Sequence, residues 1–169
     1  RRSSDLAIGE VNTRFNLTGD ELKSLSTQFA KFSKLNGTSV SGSIDKVSKA
    51  IAAFGMDAEE ASGFLDDLNV VGQNTGVNVD TLAEQVARNA ASFKEFGMTA
   101  GDAANFLGEC DKNGLDATSA VTGLRTAMKK SAESGRSMND TLADFSSLMK
   151  SNASDADKQA AAYELFGSR

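Results

Sequence analysis

Five carboxylates, Asp57, Glu59, Glu60, Asp66 and Asp67, crowd a stretch, residues 55–75, that contains no Lys or Arg. Paired carboxylates are the apparatus of general acid–base chemistry. Three of these five fall in or near the first turn of an expected helix, however, where the helix dipole favours negative charge. A solvated face accounts for them, and the functional reading that remains is an acidic docking surface for a partner. The run Asp111-Lys112-Asn113-Gly114-Leu115-Asp116 begins like a calcium loop. An EF-hand needs an oxygen ligand where Leu115 stands, Gly where Asp116 stands and a bidentate Glu where Thr122 stands, so the run reads as a polar helix stop.

Nucleophilic chemistry has little to work with. The chain contains one cysteine and no histidine, which excludes an internal disulfide, Ser-His and Cys-His pairs and His-ligated metals. Cys110 is flanked by Glu109 and Asp111, whereas a reactive thiolate needs a cationic neighbour or a base. A buried structural thiol is expected, and with it no catalytic residue, no metal site and no cofactor. Four matches to the glycosylation acceptor pattern, at Asn16, Asn36, Asn139 and Asn152, fall at expected turns or helix starts, where Asn, Ser and Thr serve backbone geometry.

The elements that must position these groups are helical. Over 169 residues, 40% are hydrophobic, with 15 Gly, no Pro and a formal charge of −5. That length supports a sizeable core. The net acidity argues against a general grip on nucleic acid, and no sequence-specific contact to it is expected. No run approaches the roughly 20 apolar residues of a membrane span. The charge is uneven: residues 1–54 have a basic excess and residues 55–169 an acidic one, an asymmetry suited to ordering head-to-tail contacts between copies.

One phrase recurs. Phe54-Gly55-Met56-Asp57-Ala58, followed by Ala61 and Phe64-Leu65, returns as Phe96-Gly97-Met98-Thr99-Ala100, followed by Ala103 and Phe106-Leu107; Phe15-Asn16-Leu17-Thr18 is a looser copy. Each copy ends one helix on a left-handed Gly or Asn and starts the next with a cap. Thr18 with Glu21, Asp57 with Glu60 and Thr99 with Asp102 have capping-box spacing, and Met56 with Ala61 and Met98 with Ala103 fit a hydrophobic staple. Further stops stand at Gly37, Gly76, Gly114 and Gly135.

The pattern predicts helices at about 3–15, 18–35, 41–54, 57–73, 79–95, 99–112, 116–133, 137–150 and 154–166. Ala58, Ala61, Leu65 and Leu68 form one apolar stripe and Leu82, Val86, Ala90 and Phe93 another, at the spacing of a helix face. The expectation is an all-α bundle of short antiparallel helical hairpins, residues 1–169 forming a single module. Its degenerate internal repeat of about 40 residues has units near 15–53, 54–95 and 96–133. An open α-solenoid is the alternative architecture. The chain opens on Arg1-Arg2-Ser3-Ser4 and stops at Phe166-Gly167-Ser168-Arg169, where the pattern calls for another helix, so it is expected to be excised from a longer protein.

Several of these phrases resemble a known family. Ala7-Ile8-Gly9-Glu10-Val11-Asn12-Thr13-Arg14-Phe15, then Leu17-Thr18-Gly19 and Leu22, is similar to the core region of phage tail tape measure proteins. So are Ala50-Ile51-Ala52-Ala53-Phe54-Gly55-Met56, Leu68 through Thr75-Gly76, Asp102-Ala103-Ala104-Asn105-Phe106-Leu107 and Glu164-Leu165-Phe166-Gly167. Asn16 stands where the family pattern has Gly, and Cys110 has no expected counterpart. The resemblance implies a non-enzymatic virion or prophage component that fills the tail-tube lumen, sets tail length and templates tube assembly, after spending assembly in the host cytoplasm. Its implied partners are other copies of itself and tail-tube, tail-tip or tail-chaperone proteins. A general helical adaptor or regulatory binding module is the alternative.

Overall fold

The computed structural model describes residues 2–135 together with Ser137, Asp140, Ala143 and Ser147. Those residues form eight helices and no strand: α1 (Arg2–Phe15), α2 (Gly19–Asn36), α3 (Val40–Phe54), α4 (Ala58–Thr75), α5 (Val79–Arg88), α6 (Ala90–Glu95), α7 (Ala100–Lys112) and α8 (Ala117–Ser134). The helices expected at 137–150 and 154–166, the acceptor patterns at Asn139 and Asn152 and the phrase Glu164-Leu165-Phe166-Gly167 lie wholly or mainly outside the described residues.

The recurring phrase builds one recurring turn. Gly55 (φ 65°) and Gly97 (φ 75°) are left-handed. In the first, the Gly55 amide donates to the Ala52 carbonyl at 3.2 Å and the Met56 amide to Ile51 at 3.0 Å; in the second, Gly97 donates to Lys94 and Met98 to Phe93, both at 3.0 Å. These are Schellman closures, which satisfy carbonyls that a helix end would otherwise leave bare. The next helix starts at once. Asp57 Oδ1 accepts from the Glu60 amide at 2.8 Å, while Thr99 and Asp102 form a reciprocal capping box at 3.1 Å in each direction.

Two local expectations are corrected. Thr18 makes no side-chain cap, because Gly19 is itself left-handed at φ 63° and the following amides are not presented to the Thr18 hydroxyl as a helical first turn would present them. The helix expected over 79–95 divides at Asn89, whose backbone sits at φ −106°, ψ 15°. Its side-chain Nδ2 donates to the Gln85 carbonyl at 3.0 Å. That is the competition with the ladder for which Asn is a weak helix former.

Packing interleaves the helices. Apart from α1 with α2, the most extensive contacts join helices that are not consecutive: α3 with α5, α4 with α7 and α2 with α4. These neighbours run in the same direction. Ser43 and Lys46 of α3 meet Asp80 and Glu84 of α5 in the same order, at 2.8 and 3.0 Å. A Cβ built on Gly101 of α7 meets Asp67 of α4, and one on Gly108 meets Val71 and Thr75, again in ascending order. Two glycines seven residues apart thus let α7 lie directly against α4.

The seam between α3 and α5 is polar at one end and apolar inside. Ser43, fully buried, donates to Asp80 and therefore accepts from Thr38 Oγ1 at 2.6 Å. The hydrogen bond and charge of Lys46 hold the Glu84 carboxyl below its ordinary range. Exposed pairs of this kind contribute little stability. The interior does more: Phe29, Ile44, Val47, Leu68, Leu82, Val86, Phe93, Leu107 and Leu124 are buried in one cluster. Each large side chain in it contributes about 1.5–3 kcal/mol relative to exposure. Both stripes identified in the sequence face it, with Ala58 only partly covered.

Because no atom stands within 4 Å of a Cβ added at Gly55 or Gly97, substitution there tests backbone conformation alone. Gly55→Ala and Gly97→Ala are each expected to lower the unfolding free energy by about 1 kcal/mol, measured by urea denaturation, with helical circular dichroism unchanged.

Candidate partner-binding groove

The two copies of the recurring phrase meet in space. Lys94 of α6 donates from Nζ to the Ala53 carbonyl in the last turn of α3, at 3.3 Å. This contact sets the α6–α7 link beside the α3–α4 link. Between them opens a groove of about 590 Å³, lined by Phe54, Met56, Phe64 and Met98 among others, with Glu60 and Asp67 from α4 and Thr99 and Gly101 from α7. The apolar lining comes from Phe54 and Met56 of the first phrase, Phe64 of α4 and Met98 of the second phrase.

The five carboxylates do not share one surface. Adjacent residues on a helix point about 100° apart, so Glu59 and Glu60 face different neighbours. Glu60 and Asp67, seven residues apart and about 10 Å along the axis, line the groove towards α7. Glu59 lines a separate, smaller concavity towards α2, with Asp20 and Glu21. Asp57 is a helix cap, and Asp66 is exposed. None of the five makes an ion pair among the described residues. Met56 and Met98, read from the sequence as staple residues, also line this groove, as does Phe54; recurrence of the whole phrase was the signal for that second role.

Asp67 is the perturbed member. One oxygen lies against Gly101, and its carboxyl is pushed above the ordinary range by this partial burial, then by the charges of Asp66 and Asp102. Among the described residues Lys94 is the one cation lining the groove, and it is turned to the Ala53 carbonyl. The groove therefore presents an apolar floor with an excess of uncompensated negative charge.

The remaining candidates hold no reactive geometry. Cys110 is buried, and its thiol is pushed far above the usual range by burial and then by Glu109 and Asp111, so it is protonated at neutral pH. Asn113, Gly114 and Leu115 close α7: the Leu115 amide donates to the Cys110 carbonyl at 2.8 Å and Gly114 to Asp111 at 3.0 Å, a turn of the same kind as at Gly55. Asp116 caps α8 through the Ser119 amide at 2.7 Å. No group of three or more His, Cys, Asp or Glu suited to a metal occurs among the described residues.

A raised carboxyl pKa destabilises the fold at neutral pH, where Asp67 is ionised in both states, and the penalty disappears once acid protonates it in both. Asp67→Asn is expected to raise Tm slightly at pH 7. The gain should fade as pH drops through the raised value and vanish below the ordinary carboxylate range, as read by thermal scans across pH.

Comparison with known proteins gives a match to one family model, described as phage-related minor tail protein, over residues 7–167. No curated protein and no solved structure matches. The matched span takes in every described helix from the first turns of α1 onward, including both walls of the groove: the chain belongs to the phage-related minor tail protein family.

Proposed function

We propose that this chain is a folded module of a tape measure protein. It takes part in tail-length determination and tail-tube assembly through helix-mediated contacts, without turnover. Family membership supports a structural role in a phage tail, and the residues quoted above support the narrower assignment. The module resides in the tail lumen after assembly in the host cytoplasm, and its partners are other copies of itself and tail-tube, tail-tip or tail-chaperone proteins.

The observation that carries the reading is the interruption of every helix. A continuous helix of 169 residues would span roughly 250 Å. The longest described helices have 18 residues, or about 27 Å each, and their partners fold back beside them. The described stretch adds little contour length, so its part in length determination is to make contacts and not to supply measured length.

In-frame deletion of the module from a phage genome is expected to block tail assembly or DNA ejection, scored by electron microscopy and plaque titre. Viable particles whose tails are shortened in proportion to the deletion would refute the assignment. The isolated chain is likewise expected to release nothing from purified peptidoglycan, and measurable digestion would overturn the non-enzymatic reading.

A further inference from the structure

The groove has a complement elsewhere on the molecule. Among the described residues Leu35, in the last turn of α2, is the most exposed large apolar side chain at 68%. Lys31 and Lys34 stand four and one residues before it, both exposed, and neither makes an ion pair among the described residues. A bulky apolar side chain beside two ammonium groups that make no ion pair among the described residues is the chemical inverse of an apolar floor bordered by Glu60 and Asp67. Within one chain these surfaces belong to different places in the bundle: α2 packs on one side of α4 through Asn36 Nδ2 and Asn69 Oδ1 at 3.2 Å, whereas the groove opens on the side of α4 that faces α7.

We infer that the groove between α4 and α7 receives the end of α2 from a second copy of this chain, with Leu35 on the apolar floor and Lys31 and Lys34 against Glu60 and Asp67. The volume of about 590 Å³ accommodates a leucine side chain with part of its helix turn. The occupant is chosen by charge complementarity, since the groove is acidic and the α2 end is basic with an exposed apolar centre. Charged borders of this kind steer and select a partner while apolar burial holds it. The inference deepens the contact reading above by naming one contact, and it is tested on the protein alone, so its failure leaves the phage deletion result standing.

The test is sedimentation of the 169-residue chain at low and high salt with two variants: K31E/K34E/L35D, which spoils the α2 end, and E60K/D67K, which spoils the groove. The wild-type chain should self-associate at low salt and weaken at least about tenfold at 0.5 M NaCl, where the screening length falls to a few ångström. Each variant alone should be monomeric with unchanged helical circular dichroism. Mixed together, they should form a one-to-one complex, because one supplies an intact groove and the other an intact α2 end. A wild-type chain that stays monomeric up to about 0.5 mM at low salt, variants that associate as the wild type does, or a mixture that stays monomeric would each overturn the inference. If either variant loses helicity, L35D and D67K as single substitutions take its place under the same criteria.

Discussion

The architecture rests on how each helix end disposes of its bare carbonyls. Where Gly55 and Gly97 turn left-handed, the glycine amide and the one after it bond back into the helix just ended, and the next helix is capped within three residues. The links are consequently short and rigid, and they reverse the chain without needing contact between consecutive helices. That freedom brings α3 against α5 and α4 against α7 in the same direction.

What was legible in the sequence was local. Gly55, Gly97 and Gly114 mark helix ends, Asp57 and Thr99 mark starts, and Leu82, Val86, Ala90 and Phe93 mark a buried face; all act within a few residues of themselves, and periodicity exposes them. Asn89 was harder, since a mid-helix Asn becomes a break only where its amide finds a carbonyl such as Gln85. Thr18 failed as a cap for a reason one residue away, in the hand of Gly19. Pairing of α4 with α7 depends on which glycines face one another across a seam, and nothing along the chain ties Gly101 to Asp67 or Gly108 to Val71.

The candidate site was legible in composition but not in partition. A run of carboxylates without a counter-ion is visible by inspection, yet its members diverge once wound on a helix: Asp57 is spent on a cap, Glu59 turns to α2, and Glu60 and Asp67 turn to α7. The apolar residues beside them were readable as turn chemistry. Their second role needed the Lys94 contact that sets two distant links side by side. Partial burial against α7, and then the like charges of Asp66 and Asp102, push the Asp67 carboxyl above its ordinary titration range and leave a field that a cation would relieve.

The lone sulfhydryl of the chain, buried in α7, is also a clock. Alkylating reagents reach Cys110 only after local opening has uncovered it, so their rate counts excursions of the interior without any foreign probe. In a member of a phage tail family, such a reporter would distinguish a body that keeps its fold from one that is drawn out as a thread.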